Sequence, residues 1–200
     1  MAKLYFRYGA VGSAKTLNLL AVAHTYGLQG KQVVLMKPRL DTRFGAEAIR
    51  SRAGLEAEAQ ILVEPESELD LDDFRGASCV LVDEAQFLSE VVIDQLRELT
   101  FRLDIPVICY GLRTDFRTRA FEGSRRLMEI ADSIEELKTT CTFCEKKAIF
   151  NLKHVNGEAT VAGPQVDLGA EEKYLPVCNH CYTTQLEKAH KASQPARISA

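Results

Sequence analysis

Gly9-Ala10-Val11-Gly12-Ser13-Ala14-Lys15-Thr16 is the stretch whose reading decides the fold. It follows a short apolar run, Leu4-Tyr5-Phe6-Arg7-Tyr8, and precedes helical spacing over residues 17–28. Strand, glycine-bearing loop, Lys-Thr and helix, in that order, are the layout of a phosphate-binding loop. Backbone N–H groups and the helix N-terminus face the phosphates. The lysine reaches the outer phosphates and the threonine hydroxyl ligates magnesium. The pattern G-x-x-x-x-G-K-[ST] asks for glycine at position 14, where this chain has alanine. Taken alone, the stretch also reads as an ordinary strand-to-helix turn with an exposed lysine, so the surrounding chain has to decide.

Moving outward, residues 32–36 form a second strand directly after the helix, so a right-handed βαβ unit and a parallel sheet are expected. Lys37-Pro38-Arg39-Leu40-Asp41-Thr42-Arg43-Phe44 leaves that strand at its carboxyl end, the edge where open α/β sheets bind ligands. Asp41 there suits magnesium or a substrate hydroxyl, and Arg43 suits phosphate charge. The alternative for both is a surface salt bridge. Residues 50–54 read as a hairpin turn, residues 61–63 as a short strand and residues 64–74 as an acidic helix. Ser78-Cys79-Val80-Leu81-Val82-Asp83-Glu84 is a buried strand that surfaces in two carboxylates. An aspartate in that place holds the magnesium hydration shell, and a neighbouring acid orients or deprotonates a nucleophile. Adjacent strand residues face opposite ways, so Asp83 and Glu84 take different roles.

Residues 89–103 have helical periodicity, with Ser89 as N-cap. A central strand over residues 105–110 ends in Gly111-Leu112-Arg113-Thr114-Asp115-Phe116. A helix near 124–130 and a short strand near 134–137 complete the α/β part. Phe87, Phe116, Phe121, Phe150 and Tyr174 read as core or as pocket wall; Phe87 and Phe116 each lie just beyond a strand end, where a flat apolar substrate would be sandwiched.

From residue 139 the character changes. Cys141-Thr142-Phe143-Cys144 and Cys178-Asn179-His180-Cys181 are two C-x-x-C pairs separated by thirty-three residues. Each pair supplies two thiolates from one tight turn, and four complete a tetrahedral structural zinc site with no position left for water. Redox pairs are the alternative. Between them, residues 148–152 alternate like a strand, Asn156-Gly157 marks a hairpin turn, and residues 163–172 form a loop. A helix over 182–190 and a polar tail follow.

The 200 residues carry net charge −3 with 46% hydrophobic and 26% charged residues, the composition of an ordinary globular protein. No basic excess points to a nucleic-acid polymer. No signal segment or membrane-length apolar run is read, so a cytoplasmic protein without membrane attachment is expected. The fold class expected is α/β: a P-loop NTPase-like parallel sheet flanked by helices, with a small C-terminal zinc-ribbon-like domain. The boundaries expected are 1–138 for the nucleotide-binding domain, 139–190 for the zinc-binding domain with a substrate-covering loop, and 191–200 for a flexible tail.

Together these parts resemble the type II thymidine kinases, the zinc-containing cytosolic family. The resemblance runs from Leu4 to about Tyr182. It rests on Leu4 to Ala10 with Lys15-Thr16, on Asp41-Thr42-Arg43-Phe44, on Asp83-Glu84-Ala85-Gln86-Phe87, on Tyr110-Gly111-Leu112 with Phe116, and on the two cysteine pairs with Lys173-Tyr174. It implies transfer of the ATP γ-phosphate to the 5′-hydroxyl of thymidine or deoxyuridine, with Mg²⁺ and structural zinc. It implies phosphate binding by Gly9, Ala10, Val11, Gly12, Ser13, Ala14, Lys15, Thr16 and Arg43, and magnesium at Thr16, Asp83 and Asp41. It implies Glu84 as acceptor of the hydroxyl proton. Gln86, Phe87, Leu112, Phe116, Phe121 and Tyr174 are implied around the nucleoside, with backbone groups of residues 163–172 reading the base. A homotetramer and feedback inhibition by dTTP are implied as well. Ala14 departs from the usual glycine, and Asn151 stands where some members carry threonine.

Overall fold

The computed structural model describes residues 1–166 and 174–193. β1 (Leu4–Tyr8) runs into the glycine loop and α1 (Lys15–Leu28), and β2 (Val33–Pro38) follows. A hairpin, β3 (Ala48–Arg50) and β4 (Glu56–Glu58), stands outside the main sheet and precedes β5 (Ile61–Val63). Then come β6 (Cys79–Val82), a 3₁₀ turn (Ala85–Phe87), α2 (Glu90–Arg102), β7 (Val107–Gly111), α3 (Glu122–Ile130) and β8 (Ser133–Glu136). The sheet order is β5-β2-β6-β7-β1-β8, and every pairing in it is parallel.

Two-residue alternation sorts the central strands onto two apolar faces. Val80 and Val82 pack with Met36, Cys109 and the Val92, Ile93, Leu96 and Leu99 stripe of α2. Cys79 and Leu81 pack with Leu35, Ile108, Tyr110 and Leu19 and Leu20 of α1. Cys79 and Cys109 are core residues, as their apolar settings suggest. The loops after β1, β2, β6 and β7 leave the carboxyl ends of parallel strands and therefore share one edge.

Residues 64–74 are not a helix, contrary to the sequence reading; their regular structure is one 3₁₀ turn, Leu71–Phe74. The backbone there finds side-chain partners instead of intrahelical ones. Asp70 accepts from the Asp72 N–H, the Leu69 N–H donates to Gln95 Oε1, and Gln95 Nε2 donates to the Ser67 carbonyl. Local side-chain bonds of this kind compete with helix.

The C-terminal part holds an antiparallel sheet, β10-β9-β11, built from β9 (Phe150–Val155), β10 (Glu158–Thr160) and β11 (Tyr174–Val177). Asn156 (φ 53°) and Gly157 (φ 83°) both take the left-handed conformation a type I′ hairpin turn requires. α4 spans Asn179–Ser193, three residues earlier and three later than expected, so Cys181 lies in its first turn. Residues 163–166 form no helix or strand, and the rest of the expected loop, 167–172, lies outside the described residues, as does the tail from 194.

Candidate active site

The glycine loop is shaped by three positions. A Cβ at Gly9 would lie 2.3 Å from Ser13 Oγ and 2.4 Å from the Leu137 carbonyl oxygen, so only glycine fits. Gly12 has φ +77° at the third position of a turn closed by the Ser13 N–H on the Ala10 carbonyl (3.2 Å). Ala14 has φ 59° and ψ 29° at the N-cap of α1, without a capping side chain. Alanine thus keeps the left-handed conformation of the glycine it replaces, at roughly 1–2 kcal/mol. Its side is exposed, so the cost is conformational rather than steric. Ala14→Gly relieves it, less the roughly 0.5–1 kcal/mol that glycine's freedom in the unfolded chain takes back. The net gain is about 0–1.5 kcal/mol, so the expected outcome is a Tm higher by up to about 5 °C in a thermal melt; a lower Tm contradicts the strain.

Lys15 Nζ donates to the Gly9 and Ala10 carbonyls (3.1 and 2.9 Å). The Thr16 hydroxyl donates to both oxygens of Asp83 (3.3 and 3.1 Å), which joins the loop to the end of β6. Glu84 is nearly buried and has φ 51°, a strained conformation of the kind that collects at functional sites. Its Oε1 accepts from Arg43 Nη2 at 2.6 Å, and its Oε2 from Gln86 Nε2. Arg43 also grips Asp41 through Nε (2.6 Å) and Nη2 (3.1 Å). Lys37, 1% exposed, reaches Asp41 Oδ2 at 3.3 Å and donates to the Ala48 carbonyl at 2.8 Å. Asp41 and Arg43 therefore form a partly buried network with Glu84, not a surface ion pair.

The acids titrate apart. Burial opposes the charge on Glu84, but Arg43 and Lys15 outweigh it and hold its carboxyl below the usual glutamate value. Burial likewise opposes charge on Asp41, and Arg43 and Lys37 lower it. Asp83 goes the other way: burial, reinforced by the Glu84 charge, pushes it up to about 7. A hydroxyl and a buried carboxylate short of positive charge, beside two more carboxylates, are oxygen donors that fit a hard cation such as Mg²⁺.

Gln86, expected beside the substrate, is 1% exposed and uses its carboxamide on protein: Nε2 on Glu84, Oε1 from the Leu112 N–H at 3.0 Å. The Ser124 hydroxyl in turn donates to the Leu112 carbonyl. α3 packs directly on the 3₁₀ turn that follows Glu84. A Cβ at Gly123 would lie 2.5 Å from the Ala85 and 2.6 Å from the Leu88 carbonyl oxygens. Gly123→Ala is expected to destabilise by about 1–3 kcal/mol through overpacking, read as a lower urea midpoint; an unshifted midpoint contradicts this contact.

These groups open on one cavity of about 280 Å³. Its walls carry Val11, Gly12 and Ala14 to Thr16, then Asp41, Arg43, Asp83, Glu84 and Gln86, and on the apolar side Phe87, Leu112, Phe116, Phe121 and Tyr174. Phe87 and Phe121 meet edge to face at 5.6 Å, and Phe116 and Tyr174 lie tilted at 41° with centroids 6.1 Å apart. The predicted phosphate, carboxylate and aromatic residues are thus brought together. The sequence reading gave Lys37 no role, and it read residues 50–54 as a hairpin turn without placing them at the site, where Arg50 to Ala53 line the same cavity. The lysine's place at the end of β2 was the available signal.

The thymidine kinase family model matches residues 2–182. The chain belongs to the thymidine kinase family. Its relatives include a thymidine kinase of Lactiplantibacillus plantarum, 45% identical over 91% of this chain and 96% of that protein. The Enterococcus faecalis thymidine kinase is 46% identical over 91% and 95%, and that of Lactococcus lactis 43% over 91% and 97%. Thymidine kinase membership carries ATP and Mg²⁺ with it, and the donor set at Thr16 and Asp83 fits. Structural zinc fits too. The four Sγ atoms of Cys141, Cys144, Cys178 and Cys181 lie within 4.8 Å of one another. Cys144 stands 3.7 Å from both Cys178 and Cys181, and four sulfurs around one zinc at ~2.3 Å would be about 3.8 Å apart. That spacing is too wide for disulfides, and all six cysteines are free. Among the described residues no helix is long and apolar enough to cross a membrane.

Proposed function

We propose that this chain transfers the γ-phosphate of ATP to the 5′-hydroxyl of thymidine or deoxyuridine, giving the monophosphate for DNA synthesis. One observation carries the reading: the lysine-threonine loop and the Glu84 carboxylate open on the same cavity as the rings of Phe87, Phe116, Phe121 and Tyr174. Lys15 and the N–H groups at the N-terminus of α1 bind the phosphates. Thr16 and Asp83, with Asp41 nearby, would hold Mg²⁺, which would supply neutralisation of the phosphate charge. Glu84 orients the 5′-hydroxyl and takes its proton. The transition state is loose, so an acid held ionised suffices where a stronger base would not be needed. Arg43, already on Glu84, offsets the charge that develops on the transferred group. Phe87, Leu112, Phe116, Phe121 and Tyr174 enclose the base, and Gln86 supports Glu84 from behind.

The reading divides the chain into a nucleotide-binding part, residues 1–138, and a zinc-binding part from residue 139 through the end of α4 at Ser193, three residues past the expected boundary. A homotetramer, inhibition by dTTP and a cytoplasmic location belong to the same proposal and are carried by family membership.

Incubation with ATP·Mg²⁺ and a panel of deoxynucleosides tests it. Monophosphate is expected from thymidine or deoxyuridine, with ATP consumption that depends on the nucleoside. ATP turnover indifferent to nucleoside would mark an ATPase that uses Glu84 on water. Tight ATP binding without product would mark a regulator.

A further inference from the structure

Asn151 joins parts of the molecule that the chemistry needs in fixed relation. Alternate side chains of β9 face opposite ways. Leu152 is fully buried among Cys141, Cys178 and Cys181. Asn151, 4% exposed, and Lys153 face the nucleotide-binding part. Asn151 Oδ1 accepts from the Val11 N–H at 2.8 Å, and its Nδ2 donates to the Thr114 carbonyl at 3.2 Å. The partners fix the carboxamide's orientation, because flipping it would set NH₂ against N–H and oxygen against oxygen. Val11 lies in the phosphate loop, and Thr114 lies two residues before Phe116 of the aromatic wall. One side chain, carried by the cysteine-bound sheet, therefore ties both loops together.

The Val11 bond is not a phosphate contact in waiting. The first N–H groups of a helix lack intrahelical acceptors, which is what makes them an anion cradle. The Val11 N–H lies earlier, at the second position of the turn from Ala10 to Ser13, and it is committed to Asn151. Gly12 at the third position has φ +77° and Val11 has no positive φ, the signature of a type II turn.

We propose that Asn151 is a positioning residue for nucleotide binding: its carboxamide locks the phosphate loop against the loop that carries Phe116, setting the distance between phosphate and nucleoside. This rests on the kinase reading and adds to it a dependence of ATP affinity on the C-terminal sheet.

The test is calorimetric titration of ATP·Mg²⁺ into the wild type, Asn151→Ala, Val11→Pro and the double variant. Val11→Pro removes the N–H while keeping the turn, since proline suits that position of a type II turn. Each single variant is expected to weaken ATP binding about tenfold, the scale of a buried donor or acceptor left without its partner. The double variant should be no weaker than the poorer single one, because both delete the same bond. In steady state the KM for ATP rises in step. A merely structural role would lower Tm and leave the ATP affinity of folded protein unchanged. Unchanged affinity in both single variants, or an additive loss in the double variant, overturns the proposal. If Asn151→Ala does not fold, the Val11→Pro affinity decides. A wild type that binds ATP but makes no thymidine monophosphate defeats the kinase reading and leaves this comparison intact.

Discussion

Glu84→Gln is expected to lower kcat by roughly 10²- to 10⁴-fold, the range for loss of a general base, while the KM for thymidine changes by no more than a few-fold. Glutamine fits the same nearly buried space and inherits the same left-handed backbone. What it lacks is the second acceptor. Arg43 Nη2 and Gln86 Nε2 each donate to one oxygen of Glu84, and a carboxamide can satisfy only one of them. The other donor then faces an NH₂ group. The variant thus loses the proton acceptor and the charge that Arg43 balances, whereas the aromatic enclosure is untouched. Steady-state monophosphate formation checks the size of the loss. Turnover near that of the wild type sinks the assignment. A comparable rise in the thymidine KM would instead mean that Glu84 serves binding.

Removing zinc is expected to unfold the C-terminal sheet while the parallel sheet stays intact. The core there is small: the four cysteines, Leu152, Ala159 and Val177, with Phe150, Leu175, Tyr182 and Leu186 packed against it. Structural zinc contributes on the order of 10 kcal/mol or more in small domains, and three short strands have no comparable reserve. Hydrogen exchange after chelation, or in Cys178→Ser, should show lost protection in β9 and β11 and retained protection in β6 and β7. Protection in β9 that survives stoichiometric loss of metal contradicts a structural role for the cysteines.

What could be read from the sequence was contiguous. β1, the glycine loop and α1 follow one another, and so do β6 and its two carboxylates; each pattern carries its meaning within a dozen residues. The two cysteine pairs were legible across a long gap because two tight C-x-x-C turns together make up one tetrahedral thiolate set. What escaped depends on partners distant in sequence. Glu84 meets Arg43 across 41 residues, and Asn151 meets Val11 across 140. No local pattern tells an asparagine that spans two loops from one that sits in a sheet. The misread helix at 64–74 failed for the same reason, since the groups that satisfy its backbone include Gln95 of α2. Ala14 was legible in a different sense. Its place in the motif marked it as a departure from glycine, and the structure adds the left-handed backbone that its residue type resists.

The strand order has a consequence for how the protein is made. β1 is made before the other strands of its sheet, yet its neighbours in that sheet are the last of them: Leu4 pairs with Val107 of β7, and Tyr5 with Ser133 of β8. The strand that carries the phosphate loop has two open edges until β7 is made and one until β8 follows, and open edges invite association with other chains. β2, β5 and β6 are complete earlier and can pair among themselves. The nucleotide site therefore waits for β7 and β8 during translation, although its glycine loop is made before every other strand of the sheet.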